Sequence, residues 1–471
     1  MNKAVAATFG GVMTHIFNPT ILREYDIRGI VGNTLDQSDA FALGRSYAAL
    51  AREEGAKRIA VGRDGRTHSP LLEQALVDGL TAGGLDVVRV GLGPSPMLYF
   101  TTHHLGVDGG IMVTGSHNPA DYNGFKMLLK GRSLFGDEIQ ALGRRCAEGR
   151  WSEGEGKVEE ADVADAYVAR LLEGIEAKPF RVGWDAGNGA AGAVLEDLIA
   201  RLPGEHHAIH TEIDGTFPNH HPDPTVEANL ADLKALVADK GLDFGIAFDG
   251  DGDRIGTVDG KGRVIWGDQL VMILAEAVLR DCPGATIIAD VKASQTLFDR
   301  IAELGGKPVM WKTGHSLIKS KMKETGAPLA GEMSGHIFFQ HRWYGFDDAL
   351  YAAVRLIEAV GQSGRTLTEI MDSMPRSVAT PEMRFQVDEP RKFAIVEEVR
   401  ERLAADGASV DATDGVRVST DDGWWLLRAS NTQDVLVARA EARDEAGLDR
   451  LVAQIDDQLV RSGVARTEAA H

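Results

Sequence analysis

A chain of 471 residues with 50 Lys and Arg against 70 Asp and Glu carries a formal charge of −20. Its surface as a whole therefore disfavours nucleic acid and anionic membranes, and an anionic small substrate needs a local basic cluster inside a cleft. No apolar run approaches the ~18 residues of a membrane span; the weak apolar stretch before Met13 is broken by Gly10-Gly11, which argues against a signal peptide. Cys146 and Cys282 lie far apart and form no CxxC, so a disulfide framework is not expected and a reducing, cytoplasmic compartment fits.

The first polar stretch, Arg23-Glu24-Tyr25-Asp26-Ile27-Arg28-Gly29, reads as a loop, one that would carry Arg28 into a cleft. From Arg58 a pattern begins. Ile59-Ala60-Val61 reads as a strand and Gly62 to Arg66 as a turn. Ser69-Pro70 reads as an N-cap with Pro at the first helical position. Leu72, Leu76 and Leu80 share one helical face, and Gly83-Gly84 ends it. Strands follow at Val87–Val90 and Ile111–Val113, the latter running into Thr114-Gly115-Ser116-His117-Asn118-Pro119. A serine hydroxyl thus stands at a strand end. It becomes nucleophilic only with help, and His117 and Lys126 are near in sequence; an ordinary Ser/Asn turn leaving a strand is the alternative.

The order returns from Phe180 to Asp253, and again from Thr286 to His336. Each segment reads β-α-β-α-β, and each last strand delivers an unusual polar turn. Alternation of this kind predicts mainly parallel sheets with helices on both faces, and ligands beyond the carboxyl ends of the strands. After Met374-Pro375 the pattern changes to antiparallel strands at Val416–Val418, Trp424–Leu427 and Val435–Val437, with a helix around Leu448-Leu451-Ile455. The reading is three similar mixed, mainly parallel α/β domains at 1–160, 161–262 and 263–375, plus a smaller C-terminal α+β domain at 376–471.

Asp249, Asp251 and Asp253 alternate with glycines. Three such close carboxylates repel one another, and hard oxygen ligands suit Mg²⁺ or Ca²⁺; a solvated acidic turn is the alternative. A calcium loop of the EF-hand type wants Gly and Glu where Arg254 and Gly260 stand, so it is rejected. Glu332, Ser334 and His336 can present an acceptor, a hydroxyl and an imidazole to sugar hydroxyls; a solvated turn is the alternative. Arg428, Ser430, Asn431 and Thr432 suit a phosphate dianion, again with a solvated turn as the alternative. Gly187-Asn188-Gly189-Ala190-Ala191-Gly192 fits G-x-G-x-x-G between strand and helix and would support a nicotinamide-linked oxidoreductase, but a lone match is weak. A sugar-phosphate-binding protein without turnover is a further alternative.

Taken together, Thr114 to Pro119, Asp249 to Arg254, Gly331 to His336 and Arg428 to Thr432, in that order, resemble the α-D-phosphohexomutase superfamily over essentially the whole chain. Met333 makes the third motif similar to the bacterial phosphomannomutase/phosphoglucomutase branch; phosphoglucosamine mutase, which tends to carry Gln there, is the runner-up. The resemblance implies four domains around a central cleft and interconversion of hexose 1-phosphate and hexose 6-phosphate, of mannose or glucose, through hexose 1,6-bisphosphate. It implies Ser116 as phosphoserine, and Mg²⁺ held by Asp249, Asp251, Asp253 and a Ser116 phosphate oxygen. Glu332 and Ser334 would bind sugar hydroxyls, and Arg428, Ser430, Asn431 and Thr432 the phosphate that is not reacting. Tyr25, Arg28, Lys126, Arg254, Lys292, His315 and His336 would line the cleft, His336 and Lys126 being candidates for the base. The expected partners are small sugar phosphates, and a monomer suffices. Asp434 departs from the family pattern, which places a Pro there, and is expected to point away.

Overall fold

Runs of Val, Ile and Ala that end in Gly and Asp turns form buried parallel strands only if helices cover both faces. The computed structural model, which describes residues 8–9, 12–431 and 433–464, contains three sheets built that way. The first orders its strands Ile27–Ile30, Tyr122–Leu129, Gly109–Val113, Arg58–Arg63, Asp86–Leu92 and Val158–Glu160, with Arg132–Ser133 on Tyr122–Leu129. Arg58–Arg63 pairs in parallel with both Asp86–Leu92 and Gly109–Val113. Tyr122–Leu129 and Ile27–Ile30 add an antiparallel edge. The second sheet runs Gly204–Ile209, Phe180–Asp185, Phe244–Phe248, Ile255–Asp259 and Val264–Ile265; the third runs Lys307–Trp311, Thr286–Asp290, Leu329–Gly331 and Ile337–Phe339. In each, two parallel pairings flank the first strand and an antiparallel hairpin follows the last. The C-terminal sheet is wholly antiparallel, and the long strands Gly423–Ala429 and Val435–Ala442 form its centre.

One core joins the first three units. Phe100, Tyr167, Trp184, Phe248, Leu270 and Leu350 belong to it and come from all three. The helix Ala349–Ser363 lies inside it, buried over residues 349–361. Gly364, at φ 69°, ends that helix in a left-handed turn where Gly has no Cβ penalty. The C-terminal unit has its own core, with Trp425, Leu436 and Ile455. It docks on the third unit through Arg417, whose guanidinium stacks 3.7 Å from the Trp424 ring centroid and donates to Val291 O at 2.7 Å and Ala293 O at 2.9 Å.

The structure corrects the sequence reading in three places. Arg28 is on no loop: it sits in the edge strand Ile27–Ile30, 3% exposed. Ser69 is the first residue of helix Ser69–Ala82, not its cap, and its hydroxyl turns to Asp64 Oδ1 at 2.5 Å. The helix Glu389–Ala405 went unread, although Pro390 in its first turn and Ile395, Val399 and Leu403 at four-residue spacing, all buried, are its signal. No helix among the described residues is long and apolar enough to cross a membrane.

Asp348 caps helix Ala349–Ser363 by accepting from the Tyr351 N–H at 2.9 Å, and Tyr167 O–H reaches it at 2.9 Å. Burial pushes its carboxyl up to about 8 against those two bonds. Between the ordinary carboxyl value of ~3.9 and about 8, the fold holds a proton that the unfolded chain has released. Stability therefore falls as pH rises through that window. Asp348→Asn keeps the acceptor and removes the titration. Its melting temperature is expected to fall less than the parent's between ~pH 5 and ~pH 8; parallel slopes in the two proteins contradict this account.

Candidate functional site

The strand Gly109–Val113 ends at the serine turn, Phe244–Phe248 at the acidic turn, and Leu329–Gly331 at Glu332. Because all three are last strands of similar sheets, their carboxyl ends can meet. They do so along a cleft of about 1180 Å³ lined by all four units, and the lining includes Tyr25, Arg28, Ser116, Lys126, Arg254, Lys292, His315, Glu332, Ser334, His336, Arg428, Ser430 and Asn431. Thr432 lies outside the described residues. Asp434 is exposed and absent from the lining; its carbonyl accepts from Gln386 and Val387.

Ser116 is 4% exposed and takes φ 49°, a left-handed conformation uncommon for a residue with a Cβ. Its hydroxyl lies 3.2 Å from Asp249 Oδ2 and 3.3 Å from His117 Nδ1. What holds the turn is Arg66, which the sequence reading passed over as part of a loop. Its guanidinium donates to the carbonyls of Ser116 (2.7 Å), Asn118 (2.5 Å), Pro119 (2.5 Å) and Tyr122 (3.0 Å). Asp64 completes the brace by accepting from the Gly115 N–H at 2.9 Å and the Arg66 N–H at 3.0 Å. The signal was an acid and an arginine two apart on a turn at a strand end.

The acidic turn meets the serine turn backbone to backbone. A Cβ on Gly250 would come within 2.4 Å of Ser116 O, so only Gly allows the approach. Asp249, Asp251 and Asp253 are fully buried. Lys126, on the strand Tyr122–Leu129, donates to Asp251 Oδ2 at 2.6 Å and Asp253 Oδ2 at 2.5 Å, and Ser95 O–H donates to Asp251 Oδ2 at 2.5 Å. Burial pulls the Lys126 ammonium down, but Asp251 and Asp253 outweigh it and hold it well above the ordinary lysine value. Asp249 goes the other way: burial, then Asp253 and Asp251, push its carboxyl well up. No hydrogen-bond donor reaches Asp251 Oδ1, and Asp253 Oδ1 has only the His336 ring, at 3.4 Å. A buried carboxylate oxygen left without a donor, in an all-oxygen cluster whose ligand atoms lie within 4.8 Å of one another, fits a hard divalent cation.

His336 closes the group. Its Nδ1 lies 2.8 Å from Glu332 Oε2 and 3.0 Å from Ser334 Oγ, so the three alternate residues do converge. Its Nε2 is 3.4 Å from Asp253 Oδ1 and 3.3 Å from Arg254 Nε. Burial lowers the imidazole, but Asp253 and Glu332 outweigh burial and Arg254 and lift it to about 9, so it is a cation and a donor at neutral pH. His315 is the reverse: burial and Lys319 push it well down, leaving a neutral ring edge-on to Tyr25. Arg28 donates to Thr114 O and Asp26, behind the serine turn.

Across the cleft, Arg428 Nε donates to Asp414 Oδ2 at 2.9 Å. Lys292 donates to Glu382 at 3.2 Å. Tyr25 O–H donates to Thr313 O at 2.7 Å and accepts from Asn431 Nδ2 at 2.6 Å, so one phenol ties the first, third and fourth units at the rim.

The glycine-rich turn Gly187–Gly192 faces the acidic turn. A Cβ on Gly189 would lie 3.0 Å or less from the Asp249 and Gly250 backbone, and Ala190 N–H donates to Gly250 O at 2.9 Å. Gly189 serves that contact, and a Cβ on Gly192 would come within 2.2 Å of Thr211 O, so both glycines answer to packing within the protein.

Four domain families match consecutive parts of the chain: phosphoglucomutase/phosphomannomutase alpha/beta/alpha domain I at 19–152, domain II at 165–262, domain III at 266–378 and the C-terminal domain at 382–458. The chain is 46% identical over 441 residues to the phosphomannomutase/phosphoglucomutase of Pseudomonas aeruginosa, covering 93% of this chain and 95% of that one. It is 44% identical over 436 residues to the phosphoglucomutase of Neisseria gonorrhoeae, covering 92% and 95%. The crystal structure of a phosphoglucomutase/phosphomannomutase family protein from Burkholderia thailandensis superposes with a TM-score of 0.90 at 44% identity, covering 95% and 98%.

Arg66→Lys tests the brace. An ammonium cannot span four carbonyls, so buried acceptors lose their donor at a cost of about 1–3 kcal/mol. A lower urea midpoint with an unchanged slope is expected, and an unchanged midpoint would show that Arg66 holds nothing.

Proposed function

The chain belongs to the phosphoglucomutase/phosphomannomutase family, within the α-D-phosphohexomutase superfamily, and from that membership we propose how its residues perform a hexose-phosphate mutase reaction. The substrates are the 1- and 6-phosphates of mannose and glucose. Ser116 carries a phosphoryl group and gives it to the free hydroxyl of a bound hexose monophosphate. The resulting hexose 1,6-bisphosphate turns end for end, and its other phosphate returns to Ser116. The observation that carries this reading is the placement of Ser116 Oγ 3.2 Å from Asp249, inside a buried carboxylate cluster, with the Arg428 turn across the same cleft.

Asp249, Asp251 and Asp253 would hold Mg²⁺, which when bound neutralises phosphoryl oxygens and withdraws electrons from phosphorus. The rest falls to side chains of this chain. Arg254 and protonated His336 face the same oxygens and offset their charge. Lys126 and Arg28 add cationic donors from the first unit. Phosphoryl transfer needs positioning and charge neutralisation more than a strong base. His336 and Lys126 both hold their protons, so either can protonate the leaving serine oxygen, and the group thus neutralised accepts the proton that the attacking sugar hydroxyl gives up. Glu332 and Ser334 grip sugar hydroxyls that the two orientations present alike. Arg428, Ser430, Asn431 and Thr432 hold the distal phosphate in both. Tyr25, His315 and Lys292 line the path between. This assignment makes the protein a cytoplasmic enzyme of carbohydrate metabolism.

Incubation with hexose 1,6-bisphosphate is expected to place one phosphate on Ser116, found by peptide mass mapping. Ser116→Ala should abolish both label and turnover, and excess chelator should abolish turnover until Mg²⁺ is returned. Phosphate on a histidine would overturn the reading. Arg428→Ala tests the shared distal site. Losing a charge-assisted contact of ~1.5–3 kcal/mol should lower kcat/KM about 10- to 100-fold, and equally in the two directions. A loss confined to one direction would mean that the turn serves only one orientation.

A further inference from the structure

Behind the acidic turn, and outside the cleft lining, stand Asp185, His210 and His220, each offering a ligand atom within 4.8 Å of the other two. Asp185 ends the strand Phe180–Asp185 and is fully buried; the two histidines are largely buried, at 17% and 14% side-chain exposure. We propose that these three residues form a second metal site, for a divalent ion of the Zn²⁺ or Co²⁺ class, distinct from the carboxylate loop. This inference does not depend on the mutase reading.

Each residue is already oriented by a partner on its far side, which is how proteins prepare metal ligands. Asp185 Oδ1 accepts from the Gly187 N–H at 2.8 Å, leaving Oδ2 toward the histidines. His220 Nδ1 lies 3.0 Å from His221 O, where it can only donate, so its Nε2 is the atom that meets Asp185 Oδ2, at 2.9 Å. His210 Nε2 lies 3.0 Å from Asp232 Oδ2, which fixes its N–H there and leaves the lone pair on Nδ1. The rings meet edge to face with centroids 5.3 Å apart. His210 holds φ 52° to take this place. With Nδ1 committed, His220 Nε2 can face a carboxylate in only two ways: as an imidazolium N–H, or as a lone pair sharing a cation with Asp185.

The donor set selects the ion. Two imidazoles and one carboxylate suit Zn²⁺ and its neighbours, whereas Mg²⁺ prefers oxygen. Three protein ligands leave a fourth position for water. The site shares the Gly187–Gly192 turn that packs on Asp249 and Gly250, so an ion here would brace the wall against which the acidic turn rests.

Co²⁺ is the probe, in full-length Asp251→Asn with Mg²⁺ in excess to occupy what remains of the acidic loop. One equivalent is expected to bind with the strong visible absorption of a low-coordinate, nitrogen-ligated ion. Adding His210→Ala should weaken it by more than ~100-fold, and adding Asp232→Asn, which removes only the orienting carboxylate, by ~10-fold. His210→Ala in the otherwise unmutated protein should keep its Mg²⁺-dependent turnover and its melting temperature without Co²⁺, which separates loss of a ligand from loss of the fold. A Co²⁺ titration without that absorption, or one that His210→Ala leaves unchanged, overturns the site and leaves Asp185 and His220 as an imidazolium–carboxylate pair.

Discussion

Three carboxylates buried on a single turn set the terms for everything around them. Left alone, Asp249, Asp251 and Asp253 would have to take up protons or pull the turn to the surface. Lys126 prevents that by donating to two of them from a neighbouring sheet, and Ser95 adds a hydroxyl from the N-terminus of helix Ser95–His104. Both helpers come from the first unit and the acids from the second, so the charge cluster itself welds two units together. Asp251 Oδ1, which still lacks a donor, marks where a cation belongs.

The serine hydroxyl inherits its position from the same weld. Ser116 can lie 3.2 Å from Asp249 because Gly250 has no side chain to hold the two backbones apart. The left-handed turn at Ser116 is then kept in place by Arg66, which spends its donors on carbonyls that would otherwise be buried without partners. Strain at the reacting residue is thus offset one layer behind it. The same division recurs at His336, which reaches acidic groups of two units at once and stays protonated for that reason.

The construction also explains why the fourth unit has a separate core. The first three share buried side chains around helix Ala349–Ser363, and sliding them past one another would open that core. The fourth meets them through polar and stacked contacts at Arg417 and Trp424, one small apolar cluster of Val291, Trp424 and Leu426, and the shared phenol of Tyr25. Polar contacts of this kind can be exchanged for contacts to a ligand at little net cost, whereas apolar burial cannot. The unit carrying the Arg428 turn is therefore the one best able to yield when substrate enters.

Local chemistry made much of this legible in the sequence. The β-α-β order, the apolar faces such as Leu72-Leu76-Leu80, and the polar turns at Ser116, Asp249 and Glu332 depend on residues near one another in the chain, and periodicity records them directly. Arg28 was misread because a strand buried by partners ninety residues away looks, in isolation, like a charged loop. Asp64 and Arg66 went unseen because their hydrogen-bond partners lie some fifty residues on. The glycine-rich turn kept two readings until the acidic turn was found packed against it. Sequence alone determined which chemical groups stand at the strand ends, since backbone pattern and side-chain identity are local properties. Only the tertiary structure decided which of them share a charge, which hold their protons and which merely support, because burial and partnership at a few ångströms arise from residues brought together across the whole chain.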